Sequence, residues 1–321
     1  MQALRFERTG ALDALVATEV AAPEPEPGDV VVRVVAAGLN PSDVKNVEGH
    51  FPYTTVPRTP GRDFSGVIAR GPADLVGVAV FATGKELGFT RDGAHAEYVA
   101  VTRHGVSRKP DALGFEQAAC VGVPYTTAWS AFERSAAAAG TSVVVIGAAG
   151  AVGRAAMDLA AWRGARAVGA VRRREQVSAL EARGHRAMLV EHPLALPDRV
   201  FEAFPSGAEV IFDTTGAFLE PAVSALAPEG RIAVIAAPQG GRVEVPVLGL
   251  YRRGGVVVGV NSLLYDSVAC ARFLERIAAG FDSGRLPPPE GFQVTPFSQA
   301  ISAYHAVRAG GAGKLILVMG R

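Results

Sequence analysis

A loop rich in small residues follows an apolar stretch near the middle of the chain. Residues 142–146 (SVVVI) predict a buried strand, residues 147–153 read GAAGAVG, and a helical pattern begins at Val152. A glycine loop between a strand and a helix is the setting in which a backbone binds the pyrophosphate of a dinucleotide. Gly150 would let the backbone approach the phosphates, and Gly153 would let the helix pack closely on the strand.

A structural turn of small residues is the alternative, and Ala148 replaces the first glycine of the usual fingerprint. The order of strand, loop, helix and second strand favours the dinucleotide site. The residues that we expect to contact the cofactor are Gly147, Gly150, Ala151, Val152 and Gly153.

Three consecutive arginines, Arg172, Arg173 and Arg174, follow the second strand of this region. An enzyme selective for NAD would place an acidic residue about twenty positions after the loop, where it binds the ribose 2′-hydroxyl. Guanidinium groups at that place instead favour a 2′-phosphate, to which they donate charge-assisted hydrogen bonds. A solvated basic start of a helix is the alternative, but positive charge is unfavourable at a helix N-terminus. NADPH is therefore the predicted cofactor.

The surrounding elements predict an α/β protein. Strands and helices are expected to alternate over residues 142–146, 152–162, 165–171, 175–183, 209–213, 221–226 and 231–235. This alternation predicts a parallel sheet with helices on both faces. The first third, up to about Val101, predicts β-strands throughout, beginning with residues 30–36. After Asn261 we expect a helix, a proline-rich turn at 287–289, a second helix and a last strand over 315–319.

Composition limits the classes of partner. A chain of 321 residues predicts two domains, and 32 basic against 31 acidic residues give no electrostatic reason to bind nucleic acid or an anionic membrane. A small molecule is the expected partner. Cys120 and Cys270 are the only cysteines, which excludes a disulfide framework and favours a reducing compartment. We expect a cytoplasmic protein with no signal peptide and no transmembrane segment.

Several motifs in order resemble the medium-chain dehydrogenase/reductase superfamily, and specifically its zinc-independent quinone oxidoreductase branch. They are residues 27–34 (PGDVVVRV), 37–43 (AGLNPSD), 60–67 (PGRDFSGV), 92–98 (DGAHAEY), the glycine loop and 313–315 (GKL). The resemblance implies a GroES-like β-rich catalytic domain over 1–122 and a Rossmann NADPH-binding domain, with a doubly wound parallel sheet, over 123–260. Residues 261–321 would return to the catalytic domain, and a homodimer would be usual.

The resemblance also locates the zinc ligands of the related alcohol dehydrogenases, at positions that carry Asn40, Arg62 and, approximately, Val123 here. A catalytic zinc needs about three nitrogen, sulfur or oxygen ligands from the protein. None of these three side chains is a plausible one, and two cysteines far apart in the chain cannot form a four-cysteine structural site. We expect no metal.

The site residues that the resemblance implies begin with Asn40, which would lie beside the nicotinamide; a turn residue before Pro41 is the alternative. Thr127 would contact the ribose or amide of the cofactor, and Val152 would pack behind the ring. Ala236 and Lys314 are further expected cofactor contacts. Two tyrosines that are common in this branch are replaced by Lys45 and Phe51. The candidate donors to the acceptor oxygen are Lys45, His50 and Tyr53, each of which could equally be a solvated loop residue.

Without a metal, the chemistry that fits is hydride transfer to a quinone or an α,β-unsaturated carbonyl. The enzyme must orient the acceptor and stabilise negative charge on its oxygen. Quinol and enolate anions are modest bases, so a strong acid is less necessary than in simple ketone reduction. An enoyl-thioester or enoate reductase of the same fold, and a non-catalytic NADPH-binding sensor, remain alternatives.

Overall fold

The computed structural model describes residues 1–238, 240–311 and 313–320. The strands are β1 Gln2–Phe6, β2 Leu15–Glu19, β3 Asp29–Leu39, β4 Asp63–Arg70, β5 Ala79–Ala82, β6 Tyr98–Thr102, β7 Ser107–Arg108, β8 Ser142–Ile146, β9 Arg166–Val171, β10 Arg186–Leu189, β11 Ala208–Asp213, β12 Leu226–Val234, β13 Val256–Gly259, β14 Phe292–Pro296 and β15 Lys314–Val318. The helices are α1 Pro41–Val47, α2 Phe115–Ala119, α3 Gly122–Arg134, α4 Ala151–Trp162, α5 Arg174–Glu181, α6 Leu196–Ala203, α7 Leu219–Ala225, α8 Val247–Arg252, α9 Ser267–Asp282 and α10 Ala300–Ala309.

The chain forms two compact units. The first consists of Met1–Thr126 and Ser262–Arg321, and the second of Thr127–Asn261. The predicted boundaries, at 122/123 and 260/261, lie four residues and one residue earlier. The first boundary falls inside α3, where an uninterrupted helical pattern carries no signal of a change of domain.

The second unit contains a six-stranded sheet in the order β10-β9-β8-β11-β12-β13, and every neighbouring pair is parallel. All five residues of β8 are buried, which requires cover on both faces of the sheet. Helix α4 packs on β8 and β9, and α7 packs on β11 and β12. The predicted Rossmann architecture is therefore confirmed. Its core contains Val144, Ile146, Val168, Ile211 and Ile232.

The first unit is built around β3, an eleven-residue strand of which nine residues are buried. It pairs antiparallel with β15, β4 and β6 in a seven-stranded sheet, and β14 extends this sheet by pairing parallel with β15. One face of the unit packs valine side chains of β3 against β4 and β6, and another cluster joins β1, α1, α10 and β15. This is the GroES-like β-rich domain that the motifs predicted.

Helix α1 is a correction to the first third of the chain, which we expected to be β-strand throughout. It begins at Pro41, whose fixed φ suits the first helical position, and the carboxylate of Asp43 accepts the backbone N–H of Asn40 at 2.8 Å. The sequence NPSD carries the capping signal of this helix. This short helix places Asn40 at the end of β3.

Strand β14 corrects the tail, where only helices, a turn and a last strand were expected. It has five residues, all of them at least partly exposed, and ends at a proline, so its sequence pattern is weak. Pairing with β15 stabilises it. In the second unit, β10, α6, α8 and β13 were likewise not predicted. No helix in the described parts of the chain combines the length and apolar character that a membrane span requires.

Candidate active site

The glycine loop joins the end of β8 to the start of α4. Gly147 has a φ of 76°, which L side chains rarely adopt, and a Cβ there would overlap the hydroxyl of Thr214. A Cβ at Gly153 would overlap the carbonyl oxygen of Gly147, so only glycine lets the first turn of α4 pack on the loop. Gly150 is the residue before α4, and the first N–H groups of that helix lack intrahelical partners. The loop can therefore hold an anionic group such as a pyrophosphate.

The parallel strands end at one edge of the sheet, and the predicted cofactor contacts lie along it. Gly147 follows β8, Arg172 follows β9 and Ala236 lies just beyond β12. Strands β8 and β11 are neighbours although the chain passes from β8 to β9, so the strand order reverses between them. Ligands of open parallel sheets bind outside the carboxyl ends of the strands at such a switch point. The structure thus brings the loop, Arg172 and Ala236 to one edge, and their contact with NADPH stays a prediction.

Asp213, at the end of β11, is a residue that the sequence analysis missed. Its buried carboxylate accepts the backbone N–H groups of Thr215, Gly216 and Phe218 at 2.8, 3.0 and 3.1 Å. The hydroxyl of Thr214 donates to the carbonyl of Ile146 at 2.7 Å, which ties this loop to β8. The sequence DTTG carries the signal of an Asx turn. These contacts fix the loop that follows β11, next to the switch point.

The arginine cluster lies exposed at the end of β9. Arg174 is the first residue of α5, and Arg173 precedes the helix. Nε of Arg173 lies 3.0 Å from a carboxylate oxygen of Glu175, an acidic residue that the helix N-terminus favours. This pairing was not predicted, and it partly neutralises the cluster. Arg172 lies outside the pair, directly at the strand end.

Thr127 and Val152 hold less exposed positions. Thr127 is buried on α3, and Val152 is half-buried in the first turn of α4, next to the exposed Ala151. Their expected contacts with the nicotinamide side of the cofactor stay predictions.

Asn40 lies at the centre of a buried polar cluster in the first unit. Its Nδ2 donates to Oδ2 of Asp63 at 2.9 Å, and its Oδ1 accepts from Nζ of Lys314 at 2.7 Å. The ammonium also lies 3.4 Å from Oδ2 of Asp63. Asn40 is only 3% exposed, and the side chains of Lys314 and Asp63 are 8% and 0% exposed. Lys314 was expected to contact the cofactor; in this structure its ammonium is engaged by Asn40 and Asp63.

A second group of buried titratable residues lies beside Asn40. Burial raises the pKa of Asp43 from 3.8 to about 7, and the charge of Asp63 acts in the same direction, against the hydrogen bond from Asn40. Nδ1 of His95 lies 2.7 Å from the hydroxyl of Tyr304, and burial lowers the pKa of His95 from 6.5 to about 4. Between these two pKa values both side chains are neutral.

The candidate donors Lys45 and Tyr53 are not members of the hydrogen-bonded cluster that Asn40, Asp63 and Lys314 form. Lys45 is exposed on α1, whereas the ammonium that contacts Asn40 is that of Lys314. Tyr53 is 47% exposed and stacks on Phe89, with ring centroids 5.8 Å apart and planes inclined by 27°. Phe51 contacts both rings. Burial raises the pKa of Tyr53. Tyr53 is therefore the exposed ring of an aromatic cluster in which Phe89 is fully buried.

Comparison with known proteins identifies the family. The model described as "Alcohol dehydrogenase GroES-like domain" matches residues 26–111, and that described as "Zinc-binding dehydrogenase" matches residues 151–278. A "Zinc-type alcohol dehydrogenase-like protein" of Schizosaccharomyces pombe is 36% identical over 268 residues, which cover 82% of this chain and 79% of that protein. The chain belongs to the medium-chain dehydrogenase/reductase superfamily.

Other members of the superfamily match over the whole chain. Human quinone oxidoreductase is 28% identical over 330 residues, which cover 99% of this chain and 98% of that protein. The crystal structure of an NAD-dependent alcohol dehydrogenase superposes with a TM-score of 0.90 at 27% identity, and each chain is fully covered. These likenesses support an oxidoreductase that uses a nicotinamide cofactor.

The catalytic zinc of the superfamily's alcohol dehydrogenases does not fit this chain. The guanidinium of Arg62 is buried, donates to the carbonyl of Gly84 at 3.1 Å, and lies 3.2 Å from the hydroxyl of Ser262. A permanent buried cation opposes the binding of a second one, and Val123 offers no ligand atom. Within the described ranges, no cluster of three or more His, Cys, Asp or Glu side chains could hold a metal ion.

Proposed function

We propose that this protein is an NADPH-dependent oxidoreductase that transfers hydride to a quinone or an α,β-unsaturated carbonyl without a metal ion. The observation that carries the proposal is the amide of Asn40. It is held between Lys314 and Asp63 at a position where zinc enzymes of the superfamily carry a metal ligand. The site offers a hydrogen-bond donor where those enzymes offer a Lewis acid.

The chemistry requires little more from the protein than orientation and one or more donors. When bound, NADPH supplies the hydride. The glycine loop and Arg172 would hold the nucleotide, and the free hydrogen on Nδ2 of Asn40 would stabilise the negative charge that develops on the acceptor oxygen. A proton from water then completes the reduced product. Because enolate and quinol anions are modest bases, turnover does not require a strong acid beside Asn40.

The exposed ring of Tyr53, which stacks on the buried Phe89, would offer a flat surface to a planar acceptor. Offset stacking on an aromatic ring stabilises a flat conjugated molecule by about 0.5 to 1.5 kcal/mol beyond burial. The likeness to human quinone oxidoreductase points in the same direction. A thioester substrate would need room for its long tail as well.

Preference for NADPH rests on the end of β9. A 2′-phosphate at this position would contact Arg172, and the end of β9 carries no acidic side chain that would repel it. Hydrogen bonds to charged groups contribute about 1.5 to 3 kcal/mol each. The pairing of Arg173 with Glu175 reduces the charge available from that residue. Arg172 is therefore the arginine to which we assign most of the selectivity.

We also propose a homodimer and a cytoplasmic location. Strand β13 ends the six-stranded sheet, yet its residues Val256 and Val257 are exposed, as is Tyr251 on the preceding helix. An exposed apolar edge strand is a template for pairing with a second chain. The cysteines, Cys120 and Cys270, are buried and unpaired, as is usual in a reducing compartment.

The experiment that tests the function measures NADPH oxidation with a panel of acceptors. The panel holds benzoquinone, a naphthoquinone, an acyclic enone, a crotonyl thioester and, as control, a saturated ketone. We expect turnover of quinones or enones, none of the ketone, and no loss of rate after treatment with a chelator. Preference for the thioester would favour the enoyl reductase, and saturable NADPH binding without turnover of any acceptor would favour the sensor.

A further inference from the structure

Two opposite charges fix the side-chain amide of Asn40. Oδ1 faces the ammonium of Lys314 and Nδ2 faces the carboxylate of Asp63. Turning the amide over would place its NH₂ group against the ammonium and its oxygen against the carboxylate, so the reversed orientation is excluded. Nδ2 has two hydrogens, and Asp63 takes one of them. The group that remains available on Asn40 is therefore a donor.

The backbone provides the space that the two charges occupy. A Cβ at Gly38 would lie 2.8 Å from Nζ of Lys314, and a Cβ at Gly122 would overlap Oδ1 of Asp63. Neither glycine has a positive φ, so the need for space, rather than conformational freedom, explains them. Oδ1 of Asp63 also accepts the backbone N–H of Val123 at 2.8 Å, in the first turn of α3, where a carboxylate is favoured.

Stability alone is a poor reason for such a pair. The desolvation of two buried charges offsets much of their attraction, and apolar replacements are often neutral or stabilising. A bond from an ammonium to the amide oxygen, however, withdraws electron density from the amide, and hydrogen bonds in a chain strengthen one another. Lys314 thus makes the remaining hydrogen of Asn40 Nδ2 a stronger donor.

We infer that Lys314 and Asp63 are positioning residues of the reaction proposed above. They act through Asn40: they fix the orientation of its amide and strengthen the one hydrogen that it offers to the acceptor oxygen. This inference rests on the proposed function. The inference also assigns Lys314 a role other than binding the cofactor phosphates, because its ammonium is already bound to Asn40 and Asp63.

A double-mutant cycle on turnover tests the inference. Lys314→Met should lower kcat about ten- to a hundredfold, somewhat less than outright loss of an oxyanion donor, with the KM for the acceptor and the Kd for NADPH little changed. In an Asn40→Leu background the same substitution should have no further effect on kcat, because Lys314 acts only through that amide. Equal losses in both backgrounds would overturn the inference, as would a large loss of NADPH affinity.

Matched variants control for charge and folding. Lys85→Met removes an exposed lysine of the first unit and should leave kcat unchanged. Lys314→Met leaves Asp63 as an uncompensated buried charge, which can prevent folding. The double variant Lys314→Met/Asp63→Asn removes both charges together. If Lys314→Met alone does not fold, this double variant takes its place in the cycle.

A measurement without turnover separates this inference from the proposed function. The chain has three asparagines, Asn40, Asn46 and Asn261, so selective labelling of asparagine side-chain nitrogen gives three NMR pairs. Lys314→Met should shift the pair of NMR signals from the NH₂ group of Asn40. That pair is identified as the one that is missing from the spectrum of Asn40→Leu. Asn46, whose buried Nδ2 donates to the carbonyl of Gly88 at 2.6 Å, is the internal control and should not move. An unmoved Asn40 pair would overturn the inference, whereas absence of turnover in the unmodified enzyme would overturn the proposed function only.

Discussion

Replacing Asp43 by asparagine is expected to reveal a dependence of stability on pH that the unmodified protein conceals. Asp43 and His95 are both buried in the first unit, and burial shifts their pKa values in opposite directions, to about 7 and about 4. Asparagine keeps an oxygen to accept the backbone N–H of Asn40 but cannot ionise. The variant therefore isolates the contribution of His95.

The two contributions have opposite signs over nearly the same range. The pKa of Asp43 is raised from 3.8, so its folded form holds a proton that the unfolded chain releases, and stability falls as pH rises from about 4 to about 7. The pKa of His95 is lowered from 6.5, so stability rises as pH rises from about 4 to 6.5. At about 1.4 kcal/mol per unit, the effects are about 4 and about 3 kcal/mol.

The unmodified first unit should therefore have nearly constant stability between pH 4 and 6.5. Asp43→Asn should gain about 3 kcal/mol over that interval, because only His95 still titrates there. At higher pH the variant should be more stable than the unmodified protein, since no buried carboxyl must ionise.

Hydrogen exchange of peptides from β3 and β15 measures the opening free energy of the first unit. Both tryptophans, Trp129 and Trp162, belong to the second unit, so their fluorescence during unfolding reports on that unit and should be the same for both proteins. A flat profile in Asp43→Asn, or a slope of the same size in the unmodified protein, would refute the reasoning.

Further substitutions test the cofactor site, the reaction and the assembly. Asn40→Leu should remove about 2 to 4 kcal/mol of transition-state stabilisation and so lower kcat. The Kd for NADPH, measured by fluorescence titration, should be nearly unchanged. Arg172→Ala should weaken NADPH about ten- to a hundredfold and spare NADH, with a difference that shrinks as salt is added; similar kcat/KM for both cofactors in the unmodified enzyme would contradict this. The purified protein should contain no stoichiometric zinc by elemental analysis, and about one zinc per chain with activity sensitive to chelation would show the assignment to be wrong. Val257→Lys should give a monomer in sedimentation analysis, and an unchanged dimer would place the interface elsewhere.

Local pattern was enough to predict the centre of the Rossmann unit, although not β10, α6, α8 or β13. The run SVVVI, the glycine loop and the helix after it are contiguous, and each follows from the chemistry of neighbouring residues. The carboxyl-edge position of Arg172 followed from the same reasoning, since it comes directly after β9. The pairing of Arg173 with Glu175 did not, although the acidic residue stood only two positions away.

The polar cluster of the first unit could not be derived in this way. Asn40 and Lys314 are separated by 274 residues, and no periodicity relates them. Glycine is needed at positions 38 and 122 because atoms of other elements approach the backbone there. Nothing in the local sequence distinguishes these two glycines from others. The resemblance to the superfamily directed attention to Asn40 and predicted that Lys314 contacts the cofactor, but it gave no sign that Lys314 contacts Asn40. Tertiary contacts decide such roles.

The first unit is assembled from two segments, with the whole second unit between them in the chain. On the ribosome, Asn40 and Asp63 emerge early, whereas Lys314 and the rest of β15 emerge only after the second unit has been synthesised. Until β15 pairs with β3, the carboxylate of Asp63 lacks the ammonium of Lys314, and hydration must stabilise it instead. The second unit is continuous in sequence and can fold during synthesis. The chain therefore acquires its nucleotide-binding half first, and the polar centre around Asn40 closes only when the last strand of the first unit arrives.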